Sequence, residues 1–135
     1  MEAARSDLVI MAAVITAPAS RAILELVSRL QQAGIDATRD AGAVYPQPTA
    51  VLVGLPTLVK RGAAFRSFTI PVLVISGEPL NNVPAVDRLY ELADDVALEL
   101  ETENYRPSSW SSSVNAEPLP ALELSVTVTV TETEG

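Results

Sequence analysis

The chain contains no cysteine and no histidine. The first absence excludes disulfides, thiolate nucleophiles and cysteine metal sites, and leaves the redox compartment open. The second removes the commonest metal ligand and the side chain that most often carries protons near neutral pH. Cysteine and histidine nucleophile systems, zinc hydrolases and most histidine-based general-base mechanisms fall away together. Aromatic residues are also few: Trp110, three tyrosines and two phenylalanines, so a core must be built mainly from aliphatic side chains. No apolar run approaches the roughly 18 residues that a membrane-spanning helix needs, and a soluble protein without a membrane partner is expected. The segment Leu8–Ala17 has the apolar character of a secretion-signal core, but its leader MEAARSD sets Glu2 and Asp7 against Arg5 and is not basic. A helix or strand packed on the domain is the expected reading.

What remains is a chain of 135 residues, 48% hydrophobic and 19% charged, which is an ordinary globular balance. The length suits one domain with one core. We expect a single domain over residues 1–135, with 1–17 as an N-terminal extension or helix and 104–118 as a serine-rich loop. The net charge of −8 is unevenly spread. Residues 1–66 carry seven positive charges against five negative, a balance of +2, whereas residues 67–135 set only Arg88 and Arg106 against twelve carboxylates, a balance of −10. General nucleic-acid binding draws on clustered basic side chains and is disfavoured here. Lys60, Arg61 and Arg66 form a small positive group, for which a solvated hairpin tip is the simplest account. An acidic surface can still face DNA where the need is for DNA to slide past without adhering.

Along the chain, the first clear element starts near Thr16 or Pro18 and ends at Gly34. Ile23, Leu26, Val27 and Leu30 recur at helical spacing, Pro18 suits a first turn, and Gly34 suits a C-terminal cap. Asp7–Ile15 reads as one or two further helical turns. Ile35–Thr38 reads as a short edge strand and Asp40–Thr49 as loop. Ala50–Val59 is strand-like with an interruption at Pro56, Lys60–Gly62 is a turn, and Ala63–Ile75 is a long strand. In that strand Arg66, Phe68, Ile70, Val72 and Val74 share one side, while Phe65, Leu73 and Ile75 share the other. Apolar residues on both sides imply burial on both faces or an oligomeric contact on one. Pro71 suggests that part of the strand is at an edge or bulged.

A second helix is expected from about Pro84 to Glu101, capped by Asn81 or Asn82, with Val86, Leu89, Tyr90, Ala93, Val96, Ala97 and Leu100 on its buried face. Its other side carries Asp87, Glu91, Asp94, Asp95 and Glu99, several of them four residues apart and mutually repelling. Such a cluster invites a metal hypothesis for Glu91, Asp94 and Asp95; a solvated acidic face is the simpler account. Asn104–Pro118 reads as a polar loop with a short strand suggested by Trp110, Ser112 and Val114. Trp110 is either core or the rim of an interface. The last element is the clearest strand: Leu122, Leu124, Val126, Val128 and Val130 alternate with Glu123, Ser125, Thr127 and Thr129. Residues 119–130 span about 40 Å if extended, a length that requires a neighbouring strand from the same sheet or another subunit.

No catalytic constellation emerges. Gly54 stands alone without a phosphate-loop or dinucleotide fingerprint, the carboxylates lie along one helical face, and the serines at 108, 109, 111, 112 and 113 lack a base. No catalytic residue, cofactor or metal is assigned, and a non-enzymatic role is expected.

The stretches AILELVSRLQQAGIDATRD, YPQPTAVLVGLPTL, TIPVLVIS, VPAVDRLYELADDVALEL and EPLPALELSVTVTV follow one another in an order and spacing that resembles the tail terminator proteins of long-tailed bacteriophages, particularly the small forms of actinobacterial phages. The resemblance covers about residues 20–130. It implies an α/β (α+β) fold, a mixed and mostly antiparallel β-sheet with two main helices packed on it. It further implies a homo-oligomer, a hexameric ring that caps the head-proximal end of the tail tube. Such a ring stops tube elongation and offers the joining surface to a head-tail connector or stopper protein. DNA then passes through the channel without sequence-specific binding, and the protein resides in the tail neck of the virion after assembly in the host cytoplasm. Candidate interface or channel residues are Lys60, Arg61, Arg66, Asp87, Glu91, Asp94, Asp95, Glu99 and Trp110. Other readings are another neck protein, a head-tail stopper or joining protein; a monomeric protein-binding adaptor; and a metal-dependent enzyme using the acidic helix.

Overall fold

Proline opens the first helix, α1 (Pro18–Gln32), where its fixed φ and missing N–H fit the first turn. Ala22, Ile23, Leu26 and Leu30 form its buried stripe. The helix stops at Gly34, whose φ of 84° is the left-handed conformation that glycine adopts without a Cβ penalty. There the Ile35 N–H reaches back to the Leu30 carbonyl at 2.8 Å and the Gly34 N–H to that of Gln31 at 3.0 Å, a Schellman closure. The computed structural model describes residues 17–113 and 116–131. The expectations for Asp7–Ile15 and for the rest of the segment before Ala17 lie outside the described residues, as does Val114.

Beyond Gly34 come β1 (Ala37–Thr38), a 3₁₀ turn at Ala41–Ala43, β2 (Thr49–Val53), β3 (Thr57–Arg61) and β4 (Phe65–Ser76). Helix α2 (Val83–Leu100) follows, then β5 (Tyr105–Trp110) and β6 (Leu119–Thr131). The strands form one sheet in the order β1-β2-β4-β6-β5, with β3 pairing the remaining length of β4. Only β1 and β2 run parallel; the other pairings are antiparallel. Both helices pack on one face of the sheet, so the expected mixed, mostly antiparallel sheet with two helices on it is the observed architecture.

Strands β2 and β3 follow one line along β4. The first pairs with Val72–Ser76 and the second with Arg66–Thr69. Between them Gly54 donates its N–H to the Pro71 carbonyl at 2.7 Å. This corrects the expectation drawn from Pro71. The strand is central, with β6 along its other side, and is not an edge. Backbone groups of one residue point to the same side of an antiparallel strand, so the donor that Pro71 lacks would face β2 and β3, where the chain is already interrupted at Gly54–Pro56. Proline is tolerated because its neighbour is broken. A second irregularity, a shift of register between Leu58 and Lys60, marks a bulge in β3.

The main core lies between the helices and this sheet. Leu26 and Leu30 of α1 and Leu89, Ala93 and Val96 of α2 meet Val51, Ile70, Val72, Val74, Leu122 and Leu124, none of them more than 1% to 2% exposed. The opposite face holds a smaller cluster of Leu52, Ile75 and Ala121, against which Val44, Leu73, Trp110 and Leu119 pack. Apolar residues on both sides of β4 therefore reflect burial on both faces near its C-terminal end. Farther along, the second face turns to hydroxyls: Ser67 and Thr129 share a hydrogen bond of 2.8 Å, and Ser125 and Thr127 are exposed.

The cap of α2 is Asn82, whose side-chain oxygen accepts from the Ala85 N–H at 2.9 Å. At the other end Glu101 adopts φ 56° and ψ 41°. The Thr102 N–H bonds the Ala97 carbonyl there, the same closure that Gly34 performs after α1, carried out by a side-chain-bearing residue. Arg29 joins the two helix ends, donating to the Glu99 carbonyl at 2.5 Å and lying 3.5 Å from the Glu101 carboxylate.

Candidate interaction surfaces

The most exposed part of the sheet is the three-stranded arm made by β3, the first half of β4 and the second half of β6. Every residue of β3 is exposed. Cross-strand rungs define the arm's faces: Leu58, Phe68 and Val128 align on the helix side, as do Arg61, Arg66 and Val130. Thr57, Thr69 and Thr127, then Lys60, Ser67 and Thr129, align on the hydroxyl side. Exposed apolar surface gathers at the root and along the strand: Leu55 is 83% exposed, Val59 55% and Leu58 46%. Sequence reasoning found the basic tip here but missed these three, because an alternating strand gives no sign that it stands outside the core.

Among the described residues, two edges of the arm carry no paired strand. One is the outer side of β3. The other is β6 from Ser125 onward, because β5 pairs only with Leu119–Leu124. A cleft of about 370 Å³ lies at that second edge, lined by Leu100, Glu101, Thr102, Glu103, Asn104 and Ser125–Thr127. The Thr102 hydroxyl donates to the Ser125 carbonyl at 3.2 Å, so at Ser125 the backbone faces the open side. Alternation then turns the backbone groups of Thr127 and Thr129 the same way.

The sheet's other margins differ. Strand β1 is two residues long, and β5 contains Pro107. Short length and proline are both devices that blunt a sheet edge. The serine-rich segment therefore begins with a strand that ends at Trp110, upstream of the alternation that suggested one. Trp110 is half-buried against Leu119 and belongs to the smaller apolar cluster.

The acidic residues of α2 do not act as one group. Asp87, Glu91, Asp94 and Asp95 are exposed and Glu99 is half-buried. Asp94 accepts a hydrogen bond from the Tyr105 hydroxyl at 2.6 Å, whereas Asp95 lines a cleft with Ile35, Asp36 and Thr49 on the opposite flank of the helix. Successive helical residues diverge by about 100°. Asp94 therefore turns toward β5 and Asp95 toward β1 and β2. Among the described residues no group of three or more acidic side chains is placed to hold a metal ion. The hydrogen bond to Asp94, with burial and the charge of Asp94 behind it, raises the Tyr105 phenol above its ordinary value of 10.0. Tyr90 meets the same ring edge-on, with centroids 5.8 Å apart.

Lys60, Arg61 and Arg66 are thus brought together on the arm, and Asp87, Glu91, Asp94, Asp95 and Glu99 lie along α2; the structure does not join the two sets within one chain. Arg88, the only basic residue of α2, reaches Glu78 in the preceding link, and among the described residues no ion pair is formed by Asp87, Glu91, Asp94, Asp95 or Glu99. Compared with models of known protein families and with functionally characterised proteins, the sequence matches none.

Proposed function

We propose that the chain is a structural assembly protein, a tail terminator of a long-tailed phage, which forms a ring on the head-proximal end of the tail tube. The observation that carries this reading is the three-stranded arm with two unlike open edges, since a ring needs a heterologous contact that closes by rotation. The order of sequence segments supports it, and so does the sheet-and-two-helix architecture that the resemblance implies. The role is non-catalytic. One rim of the ring binds the last tube subunits and ends their addition, while the other meets the connector or stopper. The carboxylates of α2 repel passing DNA wherever they face the channel, which keeps it from adhering.

Electron microscopy of the purified protein mixed with tail tubes tests the proposal. Rings, or tubes capped at one end, are the expected result. A monomer that leaves tube ends free to elongate over a wide concentration range refutes it.

A further inference from the structure

We infer that the contact between copies is the outer edge of β3 on one molecule seated on the open edge of β6 on the next, with the basic tip of the arm against the acidic turn after α2. The inference rests on the ring reading for its biological setting, but its geometry stands on the strands alone.

Each copy carries both halves. The donor edge presents the backbone of Leu58 and Arg61 to solvent, because Thr57 and Lys60 are the residues that pair inward with β4 across the bulge. Around that backbone stand the exposed Leu58 and Val59 and the cations Lys60 and Arg61. The acceptor edge presents Ser125, Thr127 and Thr129, and its cleft is walled by Glu101 and Glu103. Charge complementarity favours this pairing over its symmetric rivals. Two β3 edges would set Lys60 and Arg61 against their own copies, and two β6 edges would bring the acidic turns together; like charges opposed in this way disfavour both arrangements.

For a ring axis that lies along the strands, the direction of the contact follows as well. Strands β3 and β6 both run antiparallel to β4 and so run parallel to each other. A rotation about an axis along the strands preserves their direction, and the joint between copies is then a short parallel pairing that continues the sheet. Donor and acceptor differ, so neither edge is used up when two copies meet, and addition proceeds head to tail until it closes.

Glu101 supplies an independent sign. It occupies a left-handed position at the end of α2 where glycine is the usual residue, and it is the only non-glycine residue with positive φ among those described. Strain held at such a position points to a use for the side chain. Here Glu101 lines the acceptor cleft, with its side chain 83% exposed and its carboxylate 3.5 Å from the Arg29 guanidinium.

Because the chain has no cysteine, disulfide trapping reads the contact directly. Thr57→Cys and Val59→Cys on the donor strand are each mixed with Thr127→Cys or Thr129→Cys on the acceptor, under mild oxidation. The expected product is a dimer that contains one chain of each variant, formed in at least one mixture and exceeding the like-with-like dimers. In one molecule β4 separates the two strands, so the bond forms only between copies. In parallel, Lys60→Glu with Arg61→Glu raises the concentration for half-assembly by about tenfold or more, and Glu103→Lys in the same chain recovers part of the loss. Glu101→Gly also weakens assembly while circular dichroism and thermal unfolding show a chain at least as stable as the parent.

Oligomers that form without any β3-to-β6 disulfide, or that are indifferent to these charge changes, overturn this contact and leave the terminator reading standing. Trapped β3-to-β6 oligomers that never cap a tube support the contact and remove the terminator reading. A protein that remains monomeric at all concentrations and gives no mixed dimer overturns the contact.

Discussion

Gly54 is the position at which the sheet's irregularity can be tested most sharply. A Cβ placed there lies 2.9 Å from Pro71 Cγ and 3.1 Å from the Pro71 carbonyl oxygen, while the Gly54 N–H bonds that same oxygen at 2.7 Å. The first separation is shorter than real Cβ contacts, and the second is tight against backbone that β6 holds from its other side. Two opposing terms set the outcome of Gly54→Ala. Fewer unfolded conformations favour the variant by about 0.4–1 kcal/mol. Overpacking against a paired central strand costs about 1–3 kcal/mol. The difference of these terms runs from about 0 to about 2.6 kcal/mol. Because the clash is partly with paired backbone, a net loss in the upper part of that range, about 1–2.6 kcal/mol, is expected, read as a lower urea midpoint at unchanged slope.

The companion change Pro71→Ala removes the Cγ that a new Cβ meets first, together with the Cδ at 3.7 Å. In that background Gly54→Ala should be less harmful by at least about 0.5 kcal/mol, a coupling that a double-mutant cycle resolves. Part of the cost persists, because the carbonyl contact at 3.1 Å survives the companion change. If Gly54→Ala proves neutral or stabilising, or if the two changes are strictly additive, the close approach at Pro71 is not what holds a glycine in this strand break.

Three further outcomes are expected. Leu89→Ala, at a side chain with 0% exposure between α2 and the sheet, should cost about 2–5 kcal/mol in chemical denaturation and be among the most damaging single changes. Glu101→Gly should raise stability by up to about 1 kcal/mol, since it relieves a left-handed backbone and gives up only an exposed ion pair with Arg29. Tyr105 should ionise above its ordinary value in an ultraviolet alkaline titration, and Asp94→Asn should bring it down. The sign for stability follows: the phenol binds its proton more tightly in the folded chain, so its contribution is complete below pH 10.0 and is lost as pH rises through the folded-state value. A Tyr105 that titrates identically before and after Asp94→Asn would exclude the hydrogen bond as the cause.

Both helices and β6 were legible because each carries a periodic apolar pattern over many residues, with Pro18, Gly34 and Asn82 as local stop and start signals. The break at Pro56 was legible for a related reason, since proline acts on its own backbone. Pro71 misled because its signal is also local: it reports a missing donor, but whether the strand lies at an edge or its neighbour is interrupted depends on pairing with Gly54, seventeen residues away. Strand β5 was displaced in the sequence reading because YRPSSW does not alternate. Its middle four residues are exposed on both faces, and only the pairing with β6 makes it a strand. On the surface, the basic tip and the acidic helix were visible as charges, but the division of α2's carboxylates between Tyr105 and the cleft at Ile35 required the fold. Glu101 and Glu103 gave no signal at all, because a left-handed residue other than glycine and a cleft at a strand edge exist only in three dimensions.

The charge asymmetry between the two halves of the sequence acquires a physical meaning once the strands are paired. The positive half does not form a positive face: Arg29 is spent on the ends of α1 and α2, and the described cations that gather on one element are those of the arm. The negative half is distributed along α2 and around the open edge of β6. A molecule of net charge −8 repels its own copies at long range, and that repulsion is screened within roughly 10 Å at 0.1 M salt. Attraction at a contact of opposite charges acts inside that distance and is screened less. Such a chain resists indiscriminate association, and the contact proposed above, in which Lys60 and Arg61 meet the acidic edge, is one that this balance would still admit. The arm and the edge are separate features of one sheet, joined through β4, so in the proposed contact a force on the tip would be carried by the longest pairing in the molecule to the edge of β6.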